Sequence, residues 1–175
     1  EILQNRPIIR LVLRDVLPFI SSTKSAGTAT CLWDTLLADI QKRIGETNAS
    51  KVMLTLQQKV METPCLLLLD GLDEIPEAQQ NRQYLIEAVQ DLVTCLAKCS
   101  RVILTARPYA YAHPKWQLPG FTSRTLKPFS EDQVAHFIRA WYQYIPGPLE
   151  ESRQMLQNRA DALVKAIREN DFLGI

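Results

Sequence analysis

LLLLDGLDE, residues 66–74, joins an apolar run to three carboxylates within five positions. The run extends from Cys65 to Leu69 and is bounded by Pro64 and by Asp70-Gly71. A short continuous run of this kind predicts a strand that is buried on both faces of a parallel sheet. Open α/β sheets bind their ligands at the carboxyl ends of their strands. The stretch therefore predicts that Asp70 lies at the ligand-binding edge of a sheet.

The three carboxylates of this stretch suit phosphate chemistry. Asp70 could hold a magnesium ion directly or through water, because this hard cation prefers oxygen ligands. Asp73 or Glu74 could orient or deprotonate an attacking water. Carboxylates this close repel one another unless a cation lies among them. The structural alternative is a polar turn after a core strand, with Asp73 or Glu74 capping the next helix.

A second stretch, RVILTARP at residues 101–108, ends another apolar run with a hydroxyl and a guanidinium. If this strand lies beside the first, Thr105 and Arg107 face the same cleft as Asp70. Thr105 could then hydrogen bond to a γ-phosphate or to the attacking water. Arg107 could pair with phosphate or with Asp73 or Glu74. The alternative is an exposed arginine that merely follows a strand.

Strand and helix patterns alternate along the chain, which predicts an α/β fold with a parallel sheet. Only helical patterns follow Ser130, which suggests a small helical lid, so we divide the chain into residues 1–129 and 130–175. Ser130 and Gln133 have the spacing of a capping box. Besides the two stretches above, the predicted elements are strands Pro7–Leu13 and, more weakly, Phe121–Leu126; a loop over Leu17–Thr30; and helices Cys31–Ile44, Val52–Met61, Glu77–Leu96, Ser130–Trp141 and Glu150–Asn170.

The composition narrows the class of function. A formal net charge of +1 does not indicate a nucleic-acid surface, and five apolar residues in a row are too few to span a bilayer. Cys95 and Cys99 are four positions apart, but no further Cys or His lies at metal-site spacing from them, so we interpret all four cysteines as reduced thiols of a cytosolic protein. A strand pattern starts within a few residues of Glu1, so we expect the chain to be cut from a longer protein.

Together, LLLLDGLDEIP and VILTARP resemble the Walker B and sensor 1 segments of NACHT-family ATPases, which are signal-transduction ATPases with numerous domains. Pro7–Arg14 is similar to the strand that precedes Walker B in that family. Its later strand and first lid helix are resembled by Pro119–Phe121, Leu126–Ser130 and Phe137–Trp141. The resemblance implies a three-layer P-loop NTPase fold that binds ATP or GTP with Mg²⁺. It also implies a cytoplasmic switch that works through protein partners and homo-oligomers in defence or death signalling.

The resemblance also implies a role for each residue of the two motifs. Asp70 would coordinate magnesium, and Asp73 and Glu74 would supply the catalytic carboxylate. Thr105 and Arg107 would contact the nucleotide, with Arg107 as the sensor. Two other functions stay open: a non-hydrolysing interaction scaffold, and a nucleotide-dependent nucleic-acid motor. The doubled acidic motif and the near-neutral charge argue against the motor.

One motif of the family is missing, because no Gly-x-x-x-x-Gly-Lys-Ser/Thr segment occurs in the 175 residues. In the P-loop folds that this chain resembles, the strand leading into that loop is central. It lies between the sensor strand and the strand that follows it, which here would be Arg101–Thr105 and Phe121–Leu126. We therefore expect a sheet that lacks its central strand and binds nucleotide feebly on its own. We expect one of three outcomes: the flanking strands pair directly, another chain supplies the strand, or Phe121–Leu126 leaves the sheet.

Overall fold

The computed structural model describes residues 6–20, 26–77, 80–144 and 153–169. The chain forms two compact units, Glu1–Ser123 and Arg124–Ile175. Within the described ranges, none of the helices combines the length and the apolar character needed to cross a bilayer. The elements in chain order are β1 (Ile8–Val12), α1 (Leu17–Ile20), α2 (Thr30–Ile44), α3 (Glu46–Glu62), β2 (Leu66–Asp70), α4 (Asn81–Cys95), β3 (Arg101–Leu104), α5 (Pro108–Tyr111), α6 (Glu131–Tyr144) and α7 (Arg153–Glu169).

The first unit is built on a parallel sheet with strand order β1-β2-β3. Parallel strands need long crossovers, and crossovers of this kind are right-handed. The connection from β1 to β2 and the connection from β2 to β3 advance across the sheet in the same direction. The handedness rule therefore places the helices of both connections on one face of the sheet. The α/β class with a parallel sheet is as the sequence predicts.

Burial along the strands follows this one-sided arrangement. Ile9, Leu67 and Leu69 point into the core and are almost completely buried. Their neighbours on the other face are more open, with Leu66 and Leu68 half-buried and with Ile8 and Ile103 more than half exposed. The prediction that β2 is buried on both faces is therefore wrong for its second face. Unbroken apolar sequence reports the strand but not which face the helices cover.

Helices α2, α3 and α4 supply much of the rest of this core through residues at helical spacing. Each fully buried leucine or valine contributes about 1.5–3 kcal/mol relative to exposure. Helix α2 ends at Gly45, as the sequence predicts, while α3 is longer than its apolar pattern and begins directly after that glycine. The buried helical residues include Leu32, Leu36, Met53, Val60, Leu85, Val89 and Leu92.

Three predicted elements need correction. The strand predicted at Phe121–Leu126 is wrong, because this segment has no ladder partner and all its residues after Phe121 are exposed. A strand needs a neighbour to satisfy its backbone groups. In the described part of the chain, no strand lies beside β3 on the side away from β2. Helix α4 begins at Asn81 rather than Glu77, and the predicted loop after Leu17 opens with the short helix α1; residues 21–25 and 78–79 lie outside the described ranges.

The second unit contains the helix pair α6 and α7. Ser130 and Gln133 form the predicted capping box: the Gln133 amide donates to Ser130 Oγ at 3.3 Å, and the Ser130 amide donates to Gln133 Oε1 at 2.9 Å. An ion pair between Arg139 and Asp161 links the helices at 2.9 Å. The predicted last helix, Glu150–Asn170, corresponds to α7; residues 145–152 and 170–175 lie outside the described ranges. The buried residues of this unit are Ala135, Ile138, Ala160 and Val164.

Candidate functional site

Asp70 is the last residue of β2 and holds both of its carboxylate oxygens in short contacts. Thr105 Oγ1 donates to Asp70 Oδ1 at 2.7 Å, and Arg10 Nη2 donates to Asp70 Oδ2 at 2.7 Å. The Thr105 hydroxyl also accepts a hydrogen bond from the Gly71 amide at 2.9 Å. The expectation that Asp70 and Thr105 meet at one edge of adjacent parallel strands is confirmed.

Strand register explains this meeting. Leu69 lies opposite Leu104, so the next residue of each strand reaches the same edge. The pairing continues one residue beyond β3, where the Thr105 amide donates to Leu69 O at 2.9 Å and the Leu72 amide donates to Thr105 O at 3.0 Å. Gly71 adopts the left-handed conformation, with φ of 86°, and turns the chain away from the sheet. Glycine takes this conformation without steric cost.

The ionic state of Asp70 follows from its two partners. The pKa of Asp70 is lowered from its usual value of 3.8. The hydrogen bond from Arg10 is the main cause, and the hydrogen bond from Thr105 contributes less. Both partners favour the charged carboxylate. Asp70 is therefore ionised at neutral pH and offers a full negative charge at the edge of the sheet.

Asp73 and Glu74 differ in how firmly they are held. Asp73 is only 11% exposed, and both its oxygens contact Arg107: the backbone amide donates to Oδ1 at 3.1 Å, and Nε lies 3.3 Å from Oδ2. Glu74 is 47% exposed and has one distant ion pair, with Arg14 Nη1 at 3.6 Å. Of the two acidic partners predicted for Arg107, the structure selects Asp73. Glu74 is the carboxylate that is freer to act on a solvent molecule.

Sequence reasoning missed two arginines at this edge, Arg10 and Arg14. Arg10 precedes the end of β1 by two residues, so it shares the sheet face of Asp70 and reaches it diagonally. A charged residue in an otherwise apolar strand was the available signal. Arg14 lies in the 3₁₀ turn directly after β1. Each of the three carboxylates is thus paired with one arginine.

The donor set suits a magnesium ion that keeps much of its own hydration. Asp70 and Thr105 offer hard oxygen atoms, and magnesium in nucleotide sites is typically held by one or two carboxylates together with water and phosphate oxygens. Within the described ranges, no group of three or more His, Cys, Asp or Glu side chains is arranged to hold a metal ion by itself. The residues therefore fit only part of a magnesium site, whose remaining ligands would have to come from other groups.

Comparison with known protein families agrees with this geometry. The family model of the NACHT domain matches residues 14–144, which contain Asp70, Asp73, Glu74, Thr105 and Arg107. No curated protein and no solved structure matches the chain significantly. The match covers well over half of the chain, and the parallel sheet is that of the P-loop NTPase fold to which NACHT domains belong. The chain is a member of the NACHT domain family, a group of NTPase-type signalling modules.

Proposed function

We propose that this chain forms the magnesium-binding and hydrolytic part of a nucleoside triphosphate switch that binds ATP or GTP. Nucleotide state would control homo-oligomers and protein partners in cytoplasmic defence or death signalling. In this proposal, residues 1–129 are the nucleotide-binding core and residues 130–175 belong to a helical lid. The observation that carries it is the hydrogen-bonded group of Asp70, Thr105 and Gly71 at the carboxyl edge of the sheet.

Asp70 is proposed as the magnesium ligand, with Thr105 as its orienting partner. The hydroxyl of Thr105 accepts from Gly71 and donates to Asp70, so the carboxylate has a fixed direction. A bound magnesium ion would neutralise phosphate charge as it develops. Arg10 occupies Asp70 Oδ2, so the guanidinium must share this oxygen with the ion or move aside.

Glu74 is proposed as the carboxylate that orients or deprotonates the attacking water. Its partial exposure and its single ion pair at 3.6 Å leave its carboxylate accessible to a water molecule. Asp73 is held by Arg107 through two contacts, so we assign it to fixing this arginine near the phosphates. This assignment separates the two members of the acidic pair, which the sequence motif leaves equivalent.

Hydrolysis is tested in a protein that joins this chain to a phosphate-binding loop. Glu74→Gln should lower kcat by about a hundredfold or more while nucleotide affinity stays largely unchanged, because a general base acts only on the chemical step. Asp73→Asn should also slow hydrolysis, and Asp70→Asn should weaken binding that depends on magnesium. Asp39→Asn is the matched control, since Asp39 also pairs with an arginine on the surface of the same unit.

Unchanged turnover in both Glu74→Gln and Asp73→Asn would refute the catalytic assignment and favour the interaction scaffold. The 175-residue chain alone supplies a second measurement. Without the backbone donors of a phosphate loop, calorimetric titration with ATP and Mg²⁺ should show no tight binding. A Kd in the low micromolar range, roughly −8 kcal/mol, would mean that another segment of this chain replaces that loop.

A further inference from the structure

Arg82, in the first turn of α4, is a buried arginine outside the group of site residues. Its side chain is 8% exposed, and its guanidinium has polar partners on three nitrogens. Arginine is almost never buried unless it is paired, because leaving water is costly for a charged group. The partners of this guanidinium therefore indicate what its burial achieves.

Two of those partners are backbone carbonyls on either side of Glu74. Arg82 Nε donates to Ile75 O at 2.7 Å, and Nη2 donates to Asp73 O at 3.4 Å. The third partner is a side chain, since Nη1 donates to Glu77 Oε1 at 2.9 Å. One planar group thus spans the turn from residue 73 to residue 77. The Glu77 carboxylate is largely exposed and supplies the countercharge.

Trp116 fixes the guanidinium from another direction. The Arg82 guanidinium carbon lies 5.4 Å from the centre of the Trp116 ring, within cation–π distance. Trp116 packs against the main core of the unit, and its own position follows α5 and Arg107 along the chain. Arg107 is paired with the side chain of Asp73, while Arg82 bonds to the backbone of the same residue. The turn at residues 73–77 is therefore held by two arginines.

We propose that Arg82 is a positioning residue that fixes the backbone carrying Glu74 and so aims this carboxylate. The functional part rests on the role of Glu74 proposed above. Arg82 itself touches neither Glu74 nor any other carboxylate of the site, so it acts through the carbonyls of Asp73 and Ile75. An arginine suits this role because its rigid fork can donate to two acceptors at once, whereas lysine carries a single ammonium group.

We call the hydrogen bonds from Arg82 to the carbonyls of Asp73 and Ile75 the clamp. Hydrogen exchange of the 175-residue chain, followed by NMR, tests this clamp without any nucleotide. Arg82→Met keeps the apolar stem and removes every donor. Amides of the turn and of Arg107, which bonds to Asp73, should then exchange roughly tenfold to a hundredfold faster, since each hydrogen bond to a charged group is worth about 1.5–3 kcal/mol. Ladder amides of Arg101 and Thr105 should change far less. The turn amides to follow are those of Glu74 and Ile75.

Three further variants separate positioning from plain stability. Arg82→Lys should restore part of the protection, because an ammonium reaches one carbonyl. Glu77→Gln should change the turn only slightly, because the carbonyl bonds remain. Leu92→Ala, in the buried face of the same helix, should speed exchange of the ladder amides without a selective effect on the turn. Equal acceleration of ladder and turn in Arg82→Met, or an unaltered turn, would overturn the clamp.

The hydrolysis assay described above adds a readout that general destabilisation does not move. Arg82→Met should lower kcat with little change in KM, with Arg82→Lys intermediate, because the misplaced carboxylate acts only on the chemical step. A fall in kcat no larger than that of Leu92→Ala would overturn the functional part. Absence of hydrolysis in the wild-type protein would instead refute the proposed function, while the exchange measurement would still decide whether Arg82 holds the turn.

Discussion

Thr105→Val tests the hydrogen-bonded group at the sheet edge with the smallest change of shape. Valine replaces the hydroxyl by a methyl group and removes two bonds, the donation to Asp70 Oδ1 at 2.7 Å and the acceptance from the Gly71 amide at 2.9 Å. Thr105→Ser is the control, because it loses the methyl group and keeps the hydroxyl. A difference between the two variants therefore measures the bonds rather than the packing.

The size of the effect follows from the two bonds. A neutral hydrogen bond contributes about 0.5–1.5 kcal/mol, and one to a charged group more. Asp70 is partly exposed, so solvent screens part of the second contribution. We expect Thr105→Val to lower the free energy of unfolding by roughly 1–2 kcal/mol relative to Thr105→Ser. With a urea slope of about 1–3 kcal/mol per molar, the midpoint should fall by a few tenths of a molar or more.

Urea unfolding followed by tryptophan fluorescence gives this number for the first unit. A Trp141→Phe background removes the tryptophan of the second unit, so that the signal reports Trp33 and Trp116. Both of these pack against the main core. If the valine and serine variants unfold at the same urea concentration, the hydroxyl does not stabilise this edge and the assignment of Thr105 is wrong.

The same comparison has a pH dependence of known sign. Asp70 has a folded-state pKa below its unfolded value of 3.8. A carboxyl group of this kind stabilises the fold above the unfolded pKa, and the contribution is lost as pH falls through the folded pKa. The gap between Thr105→Val and Thr105→Ser should therefore be full at pH 7 and narrow below pH 3.8. A gap of constant size down to about pH 2 would contradict the link between Thr105 and the charged carboxylate.

Three other substitutions probe the turn, the core and the second unit. Gly71→Ala should destabilise the first unit by about 1–2 kcal/mol, because alanine is strained at this positive φ and its Cβ would lie 3.3 Å from the Glu74 side chain; an unchanged midpoint in urea unfolding would contradict this. Leu69→Ala should cost about 2–5 kcal/mol and Leu68→Ala clearly less; equal losses would contradict the one-sided burial of β2. Ser130→Ala should destabilise α6 by about 1 kcal/mol, and unchanged exchange of the Gln133 amide would refute the capping box.

The strand ends of the site were predictable from sequence because two signals coincide there. Apolar runs end at Leu69 and Leu104, and the next residue of each is polar. Parallel pairing then brings Asp70 and Thr105 together without any further information. The roles of Asp73 and Glu74 were harder, because spacing alone does not reveal that the Arg107 backbone and side chain both reach Asp73.

Other features depend on contacts between distant segments. The strand expected at Phe121–Leu126 has suitable residues but no ladder partner, and strand formation depends more on the partner than on propensity. Burial of Arg82 could not be predicted because an arginine in an amphipathic helix usually faces solvent. Arg10 and Arg14 precede the carboxylates they pair with by about sixty positions, so no local pattern connects them.

The order of segments along the chain also bears on how the site is assembled during folding. Asp70 and Thr105 are 35 positions apart, and Asp73 and Arg107 are 34 apart, whereas Arg10 and Asp70 are 60 apart. Closing a longer loop costs more chain entropy, and pairings between distant segments form more slowly. We therefore expect β2, α4 and β3 to come together before β1 docks. The carboxylates of residues 70–74 and Thr105 would then exist as a local unit, and Arg10 and Arg14 would pair with Asp70 and Glu74 in a later step.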